Sequence, residues 1–337
     1  MNALYAYFGR MGDHDLNIPS HPLYQIFFLN SISKEFGIKK FDVYYYDKYP
    51  NAFLNSYDIL DSYRGSLHKK IINHNDISLS DALSGDYDVV FLKYRFRNPS
   101  RISSGSFDRL KFDSLYEKYK DRCWIIDTDD EILESYPRIL SLFHDVRFQY
   151  PGNPKVKQLI PILSDDIFNV LVRPDILFKQ YALTFIGNEY SKDDIQNQFR
   201  EIHQRTQIPI NVQGKWNKYP FIQYVIPRHM RTYGYGLWQS SACSIQISKP
   251  QYLTYDFMAP RIFESYLLST IIFSKNSFMG PFSKYSGMID LCERILTLKD
   301  LTSLEYHKLL ESEINASYLN LKKENINAFS GNSSKKC

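Results

Sequence analysis

Asp127, Asp129 and Asp130 follow directly on the apolar run CWII, with only Thr128 among them. Carboxylates set this close repel one another unless they are solvated, paired or used. In a cleft with apolar walls, one of them would have its pKa raised towards that of a general base. Two at Asp-x-Asp spacing would suit a divalent ion such as Mg2+. The plain alternative is a cap on the ILESYPRIL segment that follows. A second pair, Arg261 and Glu264, lies in APRIFE, where Pro260 suits the first position of a helix. Three residues apart, the two share one helical face. The guanidinium there could grip a pyrophosphate, and the carboxylate could accept from two ribose hydroxyls. The alternative is a surface Arg beside a first-turn Glu favoured by the helix dipole.

Further residues stand where ligands bind, just past strand-like runs. Gly187 and Asn188 follow LTFI, and Gly214 follows INVQ. Strand–glycine–helix turns bring backbone N–H groups to a diphosphate without side-chain bulk, although each could equally be a simple turn. Near the start, Gly9 and Gly12, with His14 beyond, form a turn through which a sugar could approach the backbone. It is not a complete glycine fingerprint. Residues 93–101 (KYRFRNPSR) set Lys93, Arg95, Arg97 and Arg101 around Phe96 directly after the strand YDVVFL. Phosphate contacts with a wedging or stacking aromatic are what a DNA-reading loop needs, and a solvated basic loop would have the same composition.

The elements that must position these residues alternate. Residues 3–8, 41–46, 87–92 and 123–126 read as strands; 20–37 read as a helix capped by Ser20 and stopped by Gly37, and 107–119 as another. The segment 155–178, with two prolines and interspersed acids, breaks the rhythm as a crossover would. A second alternation follows: strand 183–186, helix 194–206, strand 210–213, short helix 237–242, strand 243–247, helix 260–268, strand 270–274, then helices 288–298 and 303–325. The expectation is an α/β protein with two Rossmann-like, doubly wound domains facing across a cleft. Residues 1–165 would form the first domain, 166–182 the linker and 183–302 the second. Helix 303–329 would pack back on the first domain, and the polar end 330–337 would be disordered.

A chain of 337 residues fits two domains, and 44% apolar residues suffice for their cores. The formal charge of +4 excludes a polycationic tail, though not a local basic face. The 27 Tyr and 23 Phe suit base stacking, although AT-rich coding would give the same composition. Four dispersed cysteines, with no CxxC pair, give neither a zinc knuckle nor a disulfide framework. With no spanning run and no signal-like N-terminus, a cytoplasmic protein without membrane contact is expected.

Taken in order, IPSHPLYQIFFLNSISKEFGIKKFDVYYYD, FDRLKFDSLYEKYKDRCWIIDTDDE, QLIPILSDDIFNVLVRPDIL, LTFIGNEYSK and APRIFESYLLSTIIFS resemble nucleotide-sugar glycosyltransferases of the GT-B type. More narrowly, they resemble the T-even phage DNA β-glucosyltransferases. The resemblance implies a UDP-sugar donor and, as partner, double-stranded DNA carrying a hydroxymethylated pyrimidine, with 5-hydroxymethylcytosine foremost. It also implies a monomer at work in the cytoplasm of an infected bacterium. The family's Thr-Asp base falls on Thr128 and Asp129, and its donor-binding Arg and Glu fall on Arg261 and Glu264. The family has a second glycine and arginines at the turn after LTFI. This chain has Gly187, Asn188 and Lys192 there, with Arg231 to be recruited from the next loop and Gly214 beside it. Gly12, His14, Lys93, Arg95, Phe96, Arg97 and Arg101 would face the DNA. Two other readings use the same scaffold: a GT-B enzyme acting on a surface glycan or other non-DNA acceptor, and a non-catalytic nucleotide- or DNA-binding protein.

Overall fold

A computed structural model describes residues 1–8, 29, 32–34, 36–46, 74–94, 109–127, 136–141, 156–158, 179–189, 192–227, 231–247, 253 and 259–330. The first domain holds β1 (Asn2–Phe8), β2 (Lys40–Tyr46), β3 (His74–Asp76), α1 (Leu79–Ser84), β4 (Val89–Tyr94), α2 (Arg109–Tyr119), β5 (Cys123–Asp127), β6 (Ile139–Ser141) and β7 (Val156–Gln158). The second holds β8 (Gln180–Ile186), α3 (Lys192–Thr206), β9 (Ile210–Gln213), β10 (Ile222–Ile226), α4 (Arg231–Ser240), β11 (Ser241–Ile245), α5 (Pro260–Leu267), β12 (Ile271–Phe273), α6 (Met288–Thr297) and α7 (Ser303–Ser330).

Both sheets are parallel. The first runs β3-β2-β1-β4-β5-β6-β7 and the second β10-β9-β8-β11-β12. In each, the chain winds outward from its first strand, returns, and winds out the other way. The direction therefore reverses between β1 and β4, and again between β8 and β11. Both domains are thus Rossmann-like and doubly wound, as expected from the sequence.

Period-two alternation produces two buried faces, because parallel strands are covered on both sides. In the first sheet, Ala3, Tyr5, Phe41, Val43, Val89 and Phe91 pack with Leu29, Ile32 and Ile38. Leu4, Ala6, Val90, Leu92 and Ile125 point the other way, onto Ala82 of α1 and Phe112, Leu115 and Tyr119 of α2. The helix expected to stop at Gly37 does so. Gly37 has φ +63°, and the Ile38 N–H donates back to the Ser33 carbonyl at 2.8 Å, which closes a Schellman turn. In the second sheet Leu183, Phe185, Ile210 and Val212 meet Ile195, Phe199 and Ile202 of α3. Ile186 faces Tyr235 and Trp238 of α4 on the opposite side.

Several elements depart from the sequence expectation. β4 runs on to Tyr94 because pairing with β1 continues to Phe8↔Tyr94, so Lys93 is a strand residue and not the start of a loop. β7, at 156–158, belongs to the first sheet; the rest of the expected crossover lies outside the described residues. α4 begins at Arg231, six residues before the expected 237. Gly234 and Gly236 disguise it, since glycine argues against a helix interior. Strand β10 and the short elements β3, α1, β6 and β7 carry too few alternating residues to announce themselves.

Through Leu321, α7 packs on the second domain. The Tyr306 hydroxyl donates to the Ala242 carbonyl at 2.6 Å, and the buried Glu313 carboxylate accepts from Phe282 and Ser283 N–H at 3.1 and 2.7 Å. The whole of helix 303–329 was expected to pack back on the first domain; its side chains beyond Leu321 lie outside the described residues. Cys123, Cys243 and Cys292 are buried free thiols, and burial pushes each thiol up, away from reactivity. Among the described residues no helix is long and apolar enough to cross a membrane.

Candidate functional site

Because every strand of the second sheet is parallel, the turns after β8, β9, β11 and β12 emerge along one edge, where such sheets bind ligands. Gly187 leaves β8 there, and its N–H donates to the Gln213 carbonyl at the end of β9 at 2.8 Å. The Arg261 guanidinium lies against Gly187: a Cβ at this position would sit 2.6 Å from Arg261 Nη2 and 2.9 Å from Phe185 Cε1. The missing side chain makes room for that approach. The guanidinium carbon also stands 4.9 Å from the Phe185 ring centroid, a cation–π contact. Phe185 is backed in turn by Phe199 and Trp216, at centroid distances of 5.4 and 5.9 Å. Among the described residues, Arg261 pairs with no carboxylate and makes no hydrogen bond. It is held by an aromatic face with its N–H donors uncommitted.

Its place in α5 sharpens the point. Ala259 caps the helix without a side-chain hydrogen bond, and no acid occupies the first turn. A cation at the positive end of a helix is unfavourable by about 0.3–1 kcal/mol. The arrangement becomes favourable when an anion arrives. Glu264 is neither exposed nor in the first turn, so the helix-dipole alternative does not describe it. It is 2% exposed and accepts from the hydroxyl of Tyr235, itself buried, at 2.8 Å.

The turns after β8 and β9 are clasped together. Trp216 Nε1 donates to the Gly187 carbonyl at 2.6 Å, and Lys215 N–H to Asn188 Oδ1 at 3.0 Å. Glu189 accepts from Asn217 N–H at 3.1 Å, from the Tyr219 hydroxyl at 2.5 Å and from the Gln196 amide. That bond to the carboxylate is the first cause holding the Tyr219 phenol above its ordinary pKa. Asn188, expected to bind donor, therefore spends its carbonyl on joining the two turns.

Gly214 has φ +143°, and a Cβ there would lie 2.3 Å from the Gly187 carbonyl oxygen. Neither the conformation nor the neighbouring backbone admits a side chain. Gly214→Ala is expected to cost about 2–4 kcal/mol. It should lower the thermal midpoint by roughly 5–10 °C. An unchanged melting curve would show that the turn relaxes freely.

Arg261, Gly187, Asn188 and Gly214 thus meet at one edge, with Glu264 on the same short helix. Lys192 opens α3 and Arg231 opens α4, but their side chains lie outside the described residues. In the first domain, Lys93 pairs in register with Tyr7 and Ile126 and is only 4% exposed, because it belongs to a central strand. It does not project into solvent as the loop expectation required. Gly12, His14, Arg95, Phe96, Arg97, Arg101 and Asp129 lie outside the described residues. Asp129 stands two positions beyond Asp127, the last residue of β5. Among the described residues no three His, Cys, Asp or Glu side chains gather as a metal site would require. Sequence reasoning missed Phe185, Glu189, Trp216, Tyr219 and Tyr235. Phe185, Trp216 and Tyr219 had one signal, the aromatic content around the two glycine turns; Glu189 and Tyr235 had none.

No protein family profile matches the chain, and no curated protein matches it. Solved structures do. Anabaena HepE, solved with UDP and glucose, is similar over 99% of this chain and 100% of its own, at 10% identity and TM-score 0.49. AviGT4, a glycosyltransferase involved in avilamycin A biosynthesis, is similar over 100% and 99%, at 11% identity and TM-score 0.42. A UDP-GlcNAc 2-epimerase from Neisseria meningitidis, bound to UDP-GlcNAc, is similar over 98% and 100%, at 11% identity and TM-score 0.42. The chain's own strand orders define its class: two Rossmann-like, doubly wound domains in tandem, the domain composition of the GT-B fold.

Proposed function

We propose that this chain is a UDP-sugar-dependent glycosyltransferase whose acceptor is the hydroxymethyl group of a modified pyrimidine, 5-hydroxymethylcytosine foremost, in double-stranded DNA. The observation that carries the donor half is Arg261: a guanidinium with no hydrogen-bond or carboxylate partner among the described residues, propped on Phe185 and touching Gly187 at the ligand edge of the second sheet. Such a group suits the diphosphate of a nucleotide sugar, with Glu264 on the same helix for the ribose. The DNA half is supported by the resemblance of the sequence and by the cations at 95, 97 and 101.

In the proposed reaction, Asp129 accepts the proton of the hydroxymethyl oxygen as that oxygen bonds to the anomeric carbon. The bond from the anomeric carbon to the diphosphate oxygen breaks, and UDP departs with the electron pair. Arg261, in the first turn of α5, stabilises the charge gathering on UDP. The target base, unreachable inside a duplex, is flipped out towards the first domain. Approach of the two domains excludes water and spares the donor from hydrolysis.

A second reading is favoured by one observation: the burial of Lys93 takes a cation from the expected DNA-facing run. A GT-B enzyme with a glycan or other non-DNA acceptor has no need of that run.

The deciding experiment offers a panel of UDP-sugars with hydroxymethylcytosine DNA or plain cytosine DNA and reads nucleosides by mass spectrometry, with and without EDTA. A hexose or pentose mass gain confined to hydroxymethylated DNA is the expected result, and loss of that gain in EDTA would assign Mg2+ a role. Transfer should also weaken with salt, by about 0.9 log unit of affinity per log unit of salt for each phosphate contact. Slow donor hydrolysis with no DNA product would move the acceptor to a glycan. Neither activity, with no UDP binding, would defeat the transferase reading.

A further inference from the structure

The donor-side elements form a closed ring. Arg261 of α5 touches Gly187 after β8, and the Gly187 N–H bonds to the Gln213 carbonyl of β9. The Gln213 side chain fills the space where Gly234 of α4 lacks a Cβ: an added one would lie 2.2 Å from Gln213 Oε1. Tyr235, the next residue, closes the ring by donating its hydroxyl to Glu264 Oε1 at 2.8 Å, back on α5. Gly234 thus leaves room for the Gln213 side chain against α4, one residue before Tyr235.

From this ring we infer that Tyr235 is a positioning residue for ribose recognition: its hydroxyl holds the Glu264 carboxylate in the plane from which it accepts the ribose hydroxyls. The inference rests on the donor-site reading proposed above. Both side chains are buried, Tyr235 at 1% and Glu264 at 2% exposure. A buried carboxylate is tolerated only with hydrogen-bond donors to compensate its lost hydration. A carboxylate held at one oxygen by a phenol cannot rotate about its Cγ–Cδ bond without breaking that bond. The bond thereby fixes the orientation of the carboxylate, as selective hydrogen bonding to a diol requires. Tyr235 itself is immobilised, because its ring stacks on Trp238 at 6.3 Å and 24°. Arg261 contacts Phe185 and Gly187 and does not depend on this bond. Removing the Tyr235 hydroxyl should accordingly affect the ribose and spare the phosphates.

The test compares UDP with 2′,3′-dideoxy-UDP by calorimetry on the full chain, for wild type, Tyr235→Phe, Glu264→Gln and the double variant. Tyr235→Phe keeps the stacked ring and removes one oxygen. It is expected to weaken UDP about 5–10-fold, the scale of one ordinary hydrogen bond, and to leave dideoxy-UDP within about twofold. Glu264→Gln should abolish most of the preference for UDP, and adding Tyr235→Phe to it should change little more. Equal weakening of both ligands by Tyr235→Phe would make the tyrosine merely structural and overturn the inference. So would full preference for UDP in that variant. If Tyr235→Phe does not fold, Tyr235→His, whose shorter ring falls short of Glu264, serves the same comparison. A wild-type-like preference for UDP in Glu264→Gln would overturn the donor-site reading itself, and the inference with it. That pattern is distinct from a failure confined to Tyr235.

Discussion

Asp129→Asn is expected to lower turnover by a factor of about 10²–10⁴, the usual contribution of a positioned general base, with UDP binding unchanged within about twofold. Two facts separate these readouts. The chain leaves β5 at Asp127, so Asp129 follows the carboxyl end of a first-domain strand, whereas Arg261, Gly187 and Glu264 gather in the second domain. The substitution preserves size and removes the ability to take a proton. In the proposed chemistry a neutral hydroxymethyl group is a poor nucleophile, so the loss falls on the chemical step. The measurement is single-turnover transfer to hydroxymethylcytosine DNA, with UDP affinity taken on the same preparation. Asp127→Asn is the control: Asp127 ends the β5–β6 ladder opposite Ser141 and is expected to lose far less. A variant at Asp129 with wild-type turnover would refute its role as base. A wild-type protein that binds UDP and DNA but turns nothing over would favour the non-catalytic reading.

The fold was legible where hydrophobic period and turn chemistry agreed. Residues 41–46, 123–126, 210–213 and 270–274 alternate or run apolar between turn signals, and each is a strand to within a residue or two. Gly37 was legible because a Schellman turn requires a left-handed residue. The start of α4 was not, because Gly234 and Gly236 argue against a helix interior, and Gly234 lies against the Gln213 side chain of a separate strand. No local pattern reveals a partner on a distant strand. The same limit governs the site. Arg261 and Glu264 could be chosen from their spacing and from Pro260. Their actual partners, Phe185 with Gly187 for one and Tyr235 for the other, come from β8 and α4, 76, 74 and 29 residues away in sequence by subtraction of their numbers. Lys93 shows the opposite failure. Its neighbours in sequence suggested a basic loop, and the register with Tyr7 and Ile126 put it inside a sheet.

Arg261→Ala should weaken UDP by about 100-fold, or roughly 2.7 kcal/mol, in the range for losing a charge-assisted contact to an anion. Arg261→Lys should recover only part of this, because an ammonium keeps the charge but loses both the planar fork and the stacking on Phe185. UMP, which lacks the second phosphate, should register a smaller loss than UDP. What identifies the residue as a ligand-binding arginine is the sign of its effect on the unliganded protein. A structural arginine is destabilising to remove, since its partners are left unsatisfied. Arg261 has no hydrogen-bond or carboxylate partner among the described residues and sits in the first turn of α5, where a cation is disfavoured. Its loss forfeits one cation–π contact of about 0.5–1 kcal/mol and relieves a dipole penalty of similar size. The thermal midpoint without ligand is therefore expected to stay within about 2 °C of wild type, while the stabilisation conferred by saturating UDP largely disappears. A variant that melts much earlier without ligand and still gains the full UDP shift would make Arg261 a packing residue, and the diphosphate would then have to be held by other groups.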